Sequence, residues 1–191
     1  MKFKYPRVSE ILEPYSSMSL ANVPKVSLEN AAMRGTILHT YCTAYARGDF
    51  IPPLNEDYKP YYNSFVQWYD EKVEELIFSE TRLYHDDLQY CGQPDLIVRL
   101  FDSSSTVLID IKSSYKIYQT HPVQLAAYMD LSNINGLHCD KGIILKLNKE
   151  GKIAREYDYE DCNKYYKIFL QAVSLYDYFL RPKTSKKGGK K

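Results

Sequence analysis

The sequence predicts an α/β fold in which a central mixed β-sheet is flanked by helices. Three observations predict it. Two long amphipathic stretches open the chain. Three strand-like runs follow, and a helix, two further strand-like runs and a closing helix complete the order. The run 106–111 (TVLIDI) is short, continuous and β-branched, as expected of a buried central strand. The 191 residues, 45% hydrophobic and 26% charged, suit one sizeable core and leave no room for a second full domain, so 1–180 is read as a single domain.

Val8 to Leu12 reads as a short helical turn stopped by Pro14. A long helix is expected from Ser27, as N-cap with Glu29 in its first turn, to Gly48 and Asp49; Ala31, Leu38, Cys42 and Tyr45 share one face. Pro52 and Pro53 mark a loop. A second helix is expected over Tyr61 to Leu76, with Phe65, Trp68, Tyr69, Val73 and Leu76 inward and Glu71, Glu74 and Glu75 outward. Strands are expected over Ile77 to Tyr84, over Leu88 to Leu100 with a break near Gly92-Gln93-Pro94, and over Thr106 to Ile111. Asp86-Asp87 and Asp102 to Ser105 supply the turns between them. A helix over Pro122 to Leu131, a strand over Gly142 to Leu147, a hairpin turn at 149–152 and a strand over Ile153 to Tyr157 come next. A helix over Asp161 to Leu180 closes the order, with Phe169, Ala172 and Leu175 on its apolar stripe.

The formal net charge of +1 hides an asymmetry. Residues 181–191 carry six Lys and Arg and no acid, so residues 1–180 hold 19 basic against 24 acidic side chains, a net of −5. That balance excludes nucleic-acid binding by bulk charge. It is compatible with carboxylates gathered around metal ions and with a local cationic patch. The stretch 181–191 is expected to be a disordered basic tail. No apolar run approaches a membrane span, and the opening stretch has no apolar core segment, so neither membrane insertion nor secretion is expected. Cys42, Cys91, Cys139 and Cys162 form no C-x-x-C pair and are read as reduced thiols of a cytoplasmic protein. Tyr outnumbers Phe 19 to 7, and most of the tyrosines are expected half-buried at the surface.

The most informative piece is Pro94-Asp95, followed after fourteen residues by Asp110-Ile111-Lys112. Side chains alternate along a strand, so Asp110 and Lys112 point one way and Ile111 points into the opposite layer. If the two strands pair, Asp95 comes to the end of the strand that bears Asp110. Two carboxylates beside one ammonium can hold a hard divalent cation through oxygen, orient a water and stabilise charge developing on a phosphate. An Asp-x-Lys at a strand end is also a common exposed ion pair. His39 lies at the edge of the apolar line of its helix and either makes a quiet hydrogen bond or binds metal. Gly35 costs that helix about 1 kcal/mol against alanine and asks for a packing reason. Gln124 and Tyr128, at i and i+4, share one helix face. Glu80 either adds a third carboxylate or is simply solvated.

In order along the chain, Gly35-x-x-x-His39, Glu80, Gly92-Gln93-Pro94-Asp95, Asp110-Ile111-Lys112 and Gln124-x-x-x-Tyr128 resemble the motifs of the PD-(D/E)xK nuclease superfamily. The likeness is to its RecB-type and phage-type exonuclease branch and covers Pro6 to Leu131. The opening Tyr5 to Leu12 resembles the start of compact phage-encoded members. The resemblance implies a restriction-endonuclease-like core and metal-dependent hydrolysis of DNA, exonucleolytic rather than structure-specific endonucleolytic. It implies Mg²⁺ or Mn²⁺ held by His39, Asp95, Asp110 and the carbonyl of Ile111, with Lys112 activating water and Glu80 near a second metal. It implies DNA contacts from Gln124, Tyr128 and Arg34. His85, His121 and His138 match no position of those motifs. The family's iron–sulfur members carry a trio of C-terminal cysteines, which this chain lacks, so no iron–sulfur cluster is expected. No P-loop is present, so any helicase, recombinase or single-strand-binding partner in repair or recombination would be a separate chain. A catalytically weak DNA-binding relative and an unrelated α/β interaction protein are the competing expectations.

Overall fold

A computed structural model describes residues 4–101 and 105–181. The elements run α1 (Val8–Ser19), α2 (Lys25–Arg47), α3 (Lys59–Lys72), β1 (Val73–Ser79), β2 (Leu83–His85), β3 (Tyr90–Gly92), β4 (Leu96–Leu100) and β5 (Thr106–Lys112). They continue with α4 (Thr120–Ile134), β6 (Lys141–Lys146), β7 (Arg155–Tyr159) and α5 (Asn163–Phe179). The main sheet has the order β1-β4-β5-β6-β7, and β2 pairs with β3 in a separate hairpin. The β5–β6 pair is parallel and the other main-sheet pairs are antiparallel. This is the expected α/β fold, a central mixed sheet flanked by helices, and it is compatible with a restriction-endonuclease-like core.

Strand alternation sorts the core into two layers. Leu96, Val98, Val107, Ile109, Ile111, Ile143 and Leu145 face Leu38 and Cys42 of α2 and Phe65 and Trp68 of α3. Ile97, Leu108 and Ile144 face the other way, toward α1, α4 and α5. β5 is buried on both faces, which is why its sequence is a continuous apolar run interrupted by a single acid. Asp110 and Lys112 share the parity of Leu108 and lie on the α4 side; Ile111 packs into the α2–α3 layer, as the alternation predicts.

Four local expectations need correction. Ile77 to Tyr84 is not one strand: Glu80, at φ 46°, breaks it, and β1 and β2 on either side belong to separate sheets. α1 does not stop at Pro14 but continues to Ser19, because a proline deletes a single interior amide while Val8, Ile11 and Leu12 already anchor the helix in the core. α2 starts at Lys25 behind Pro24, whose fixed φ suits a helix entrance, and Ser27 therefore sits inside the first turn instead of capping it. α3 ends at Lys72, and Val73 to Leu76 belong to β1; pairing with β4, with two register shifts, overrides the helix preference of Glu74 and Glu75. The end of α2 is as expected, with Gly48 at φ 71°.

Among the described residues no helix is long and apolar enough to cross a membrane. Residues 102–104 of the serine-rich turn and residues 182–191 of the basic tail lie outside the described residues, together with the expectations placed on them.

Candidate active site

Asp95 lies between the end of β3 and the start of β4, after the Gly92-Gln93-Pro94 break. Gly92 is required there by close approach: a Cβ on it would stand 2.7 Å from Cε1 of Tyr128 and 2.8 Å from Leu131 of α4. The β4–β5 ladder ends at the pair Leu96–Ile109. Beyond it, the buried amide of Ile111 finds its acceptor in a side chain, donating to Asp95 Oδ2 at 2.7 Å. The other oxygen, Asp95 Oδ1, lies 2.8 Å from His39 Nδ1 on α2. An ionised carboxylate only accepts, so Nδ1 carries the proton and Nε2 is the ring nitrogen turned elsewhere.

On the far side of Ile111, Asp110 is 1% exposed. The Lys112 ammonium lies 2.8 Å from both of its oxygens. Only the bond to Oδ1 is well directed; Oδ2 is buried and has no hydrogen bond among the described residues. Lys112 Nζ also donates to Gln124 Oε1 at 3.1 Å, and Gln124 Nε2 donates to the Tyr128 hydroxyl at 3.0 Å. A chain Asp110–Lys112–Gln124–Tyr128 thus joins β5 to one face of α4.

The two carboxyls are pushed in opposite directions. Burial raises Asp110, nearby Asp95 adds to the rise, and Lys112 only partly offsets it. Burial also presses Asp95 upward, but His39, Lys112 and the Ile111 amide carry it below the ordinary carboxylate range. His39 is pressed down by burial and raised above its ordinary value by Asp95. Burial, with Asp110 and Asp95 adding, drives the Tyr128 phenol far upward, so it stays neutral.

These placements bring together most of the residues the sequence singled out. Glu80 does not join them. It adopts φ 46° at the end of β1, and its carboxylate accepts from Arg47 at 3.3 Å while its backbone amide donates to the Asp95 carbonyl. Arg34 donates to the Ser113 carbonyl at 3.2 Å and lies over the Tyr61 ring, with Nε buried and lacking a hydrogen bond among the described residues. Gly35 does not need to be glycine for packing: a Cβ there would meet Ser113 Oγ only at 4.0 Å.

In kind, the donors fit a hard divalent cation: two carboxylates, an imidazole with Nε2 uncommitted to Asp95, and a buried carboxylate oxygen lacking a hydrogen bond. As arranged, His39 Nδ1 and the Ile111 amide engage the two oxygens of Asp95, Lys112 pairs with Asp110, and no three His, Cys, Asp or Glu side chains among the described residues stand at metal-holding spacing.

A cleft of about 590 Å³ opens beside this centre, walled by α1 and α2 on one side and by the β5–α4 connection on the other. Arg34, Lys112 and Gln124 line it, together with His121, which matched no motif position, and Tyr115 and Tyr118, which sequence reasoning passed over. A signal for them existed: the loop leaving the carboxyl end of a strand in a βαβ unit is where such folds bind ligands.

No family model matches the chain, and no curated protein matches it. Among solved structures, the chain is similar to one titled "Crystal structure of SSO0001", at 20% identity and a TM-score of 0.42, over 90% of this chain and 72% of that one.

Proposed function

We propose that the chain is a metal-dependent nuclease that hydrolyses DNA phosphodiester bonds, working from strand ends. One observation carries the reading. Asp95 and Asp110, at the ends of neighbouring strands, flank the Ile111 backbone, and Lys112 lies against an Asp110 that keeps a buried oxygen without a hydrogen bond.

His39, Asp95, Asp110 and the Ile111 carbonyl are the groups to hold Mg²⁺ or Mn²⁺. Bound there, such an ion supplies Lewis acidity toward phosphoryl oxygen and toward water. The chain's own residues position the reaction. Lys112 Nζ has three N–H donors; it directs one to Asp110 and one to Gln124, and the third serves a water or a phosphate oxygen. Gln124 fixes that ammonium and is itself fixed by the neutral Tyr128 phenol. Asp95 holds the imidazole of His39 in one orientation. Arg34, at the rim of the cleft, meets the phosphates of the bound strand.

The test is digestion of end-labelled linear DNA and of closed circular DNA with Mn²⁺, with and without chelator. The reading expects metal-dependent loss of the linear DNA alone. Nicking of the circle makes the protein an endonuclease, and no hydrolysis of either form rejects nuclease activity. A second reading, a DNA-binding accessory that does not cut, has one observation in its favour: both oxygens of Asp95 are already engaged, by His39 Nδ1 and by the Ile111 amide. It expects retardation of DNA without hydrolysis in the same assay.

A further inference from the structure

We infer that the cleft beside Lys112 takes a single unpaired DNA strand, and that Tyr115 is the platform on which one of its bases stacks. This rests on the proposed action on DNA and adds the form of the substrate. The charge of the cleft is one-sided. In a chain with 24 Asp and Glu, no described residue lining it is acidic, and its cations, Arg34 and Lys112, sit at the end next to Asp110. Apart from the Gln124 amide, the remaining lining is apolar, hydroxylic or aromatic: Leu12, Leu28 and Ala31 on the helical wall, Tyr115 and Tyr118 opposite.

That composition discriminates between the two forms of DNA. A duplex presents phosphates outward and hides the faces of its bases, so an apolar and aromatic wall has nothing on it to recognise. An unpaired strand offers bare π faces together with its phosphates, which is what an aromatic wall with cations at one end receives. The volume falls within the roughly 300–1,000 Å³ of pockets that enclose a small molecule, enough for a short piece of single strand.

Tyr115 is 86% exposed, on a short connection held at both ends. Arg34 grips the Ser113 carbonyl at its root, the Ser114 hydroxyl donates to the Lys116 carbonyl across it, and the Tyr118 amide donates to His121 Nδ1 at its exit. The ring is therefore presented by an ordered segment, which lowers the ordering cost of a stacked complex.

The test measures binding in EDTA, so it does not depend on cutting. Fluorescence anisotropy compares a short labelled oligothymidylate with a blunt hairpin duplex, using the wild type, Tyr115→Ala and Tyr115→Phe. Expected are tighter binding of the single strand, a roughly tenfold loss with Tyr115→Ala on that strand only, and near-wild-type binding with Tyr115→Phe. A terminal 2-aminopurine is expected to be quenched by the wild type and Tyr115→Phe but not by Tyr115→Ala. Tighter duplex binding, an equal loss on both probes, or no loss with Tyr115→Ala overturns the inference, even if the protein proves to be a nuclease. Tyr115-dependent single-strand binding without hydrolysis upholds it while the nuclease reading fails.

Discussion

The amide of Ile111 donates to Asp95 Oδ2 at 2.7 Å, so a backbone group of the central strand is completed by the carboxylate of the neighbouring one. The bond does two things. It closes the sheet past the end of the β4–β5 ladder, and it fixes Asp95 against the strand that carries Asp110. Removing the acceptor leaves a buried N–H unpaired. Asp95→Ala is expected to lower stability by about 1–3 kcal/mol, and Asp95→Asn, whose carbonyl can still accept, by less. Urea unfolding at constant m checks this; equal midpoints for wild type and Asp95→Ala contradict it.

Gly92 and Tyr128 make the opposite kind of contact, one that forbids a side chain. With a Cβ placed 2.7 Å from the Tyr128 ring, Gly92→Ala must displace Tyr128 or Leu131. Overpacking of this type costs about 1–3 kcal/mol. Because Tyr128 holds Gln124, and Gln124 holds Lys112, hydrolysis is expected to fall along with the melting temperature. A variant with both unchanged refutes the account of this glycine.

Gly35 behaves differently. Its helix position is unfavourable by about 1 kcal/mol relative to alanine, and the space beside it is open. Gly35→Ala is expected to stabilise the fold by about that amount in chemical denaturation. Destabilisation contradicts the open space beside Gly35.

His121 gives stability a pH dependence. Burial, then the charge of Lys112, holds its imidazole down at about 3 in the folded chain, against about 6.5 when unfolded. Between those values the unfolded chain binds a proton that the folded chain refuses. Stability is therefore full above about pH 6.5 and falls as pH drops toward 3, by on the order of a few kcal/mol across the window. Asn can accept the Tyr118 amide as His121 Nδ1 does, so His121→Asn is expected to retain the fold and flatten the acid slope. Denaturant midpoints at several pH values between 7 and 4.5 measure it, and parallel slopes contradict it.

These predictions depend on features that were unequally legible. The placement of Asp110 and Lys112 on one face and Ile111 on the other follows from strand periodicity alone, and the structure agrees. The break at Gly92-Gln93-Pro94 was visible from its residue types. Glu80 was not: its φ of 46° is a property of how β1 ends, and Arg47, thirty-three positions upstream, claims its carboxylate. The boundary at Val73 was hidden because Glu74 and Glu75 favour a helix locally, whereas the sheet partner that overrules them lies more than twenty residues further on. Tyr115 is one tyrosine among 19, and only its position on the wall of the cleft distinguishes it.

The central claim concerns Asp110 and the ammonium lying against it, and it is tested most directly by the rate of nucleotide release from end-labelled linear DNA in Mn²⁺. Wild type, Asp110→Ala and Lys112→Ala are compared after circular dichroism has confirmed that each is folded. The account predicts metal-dependent release by the wild type and a loss of roughly 100-fold or more in each variant. Release at the wild-type rate by folded Asp110→Ala, or equal release in EDTA, would contradict it.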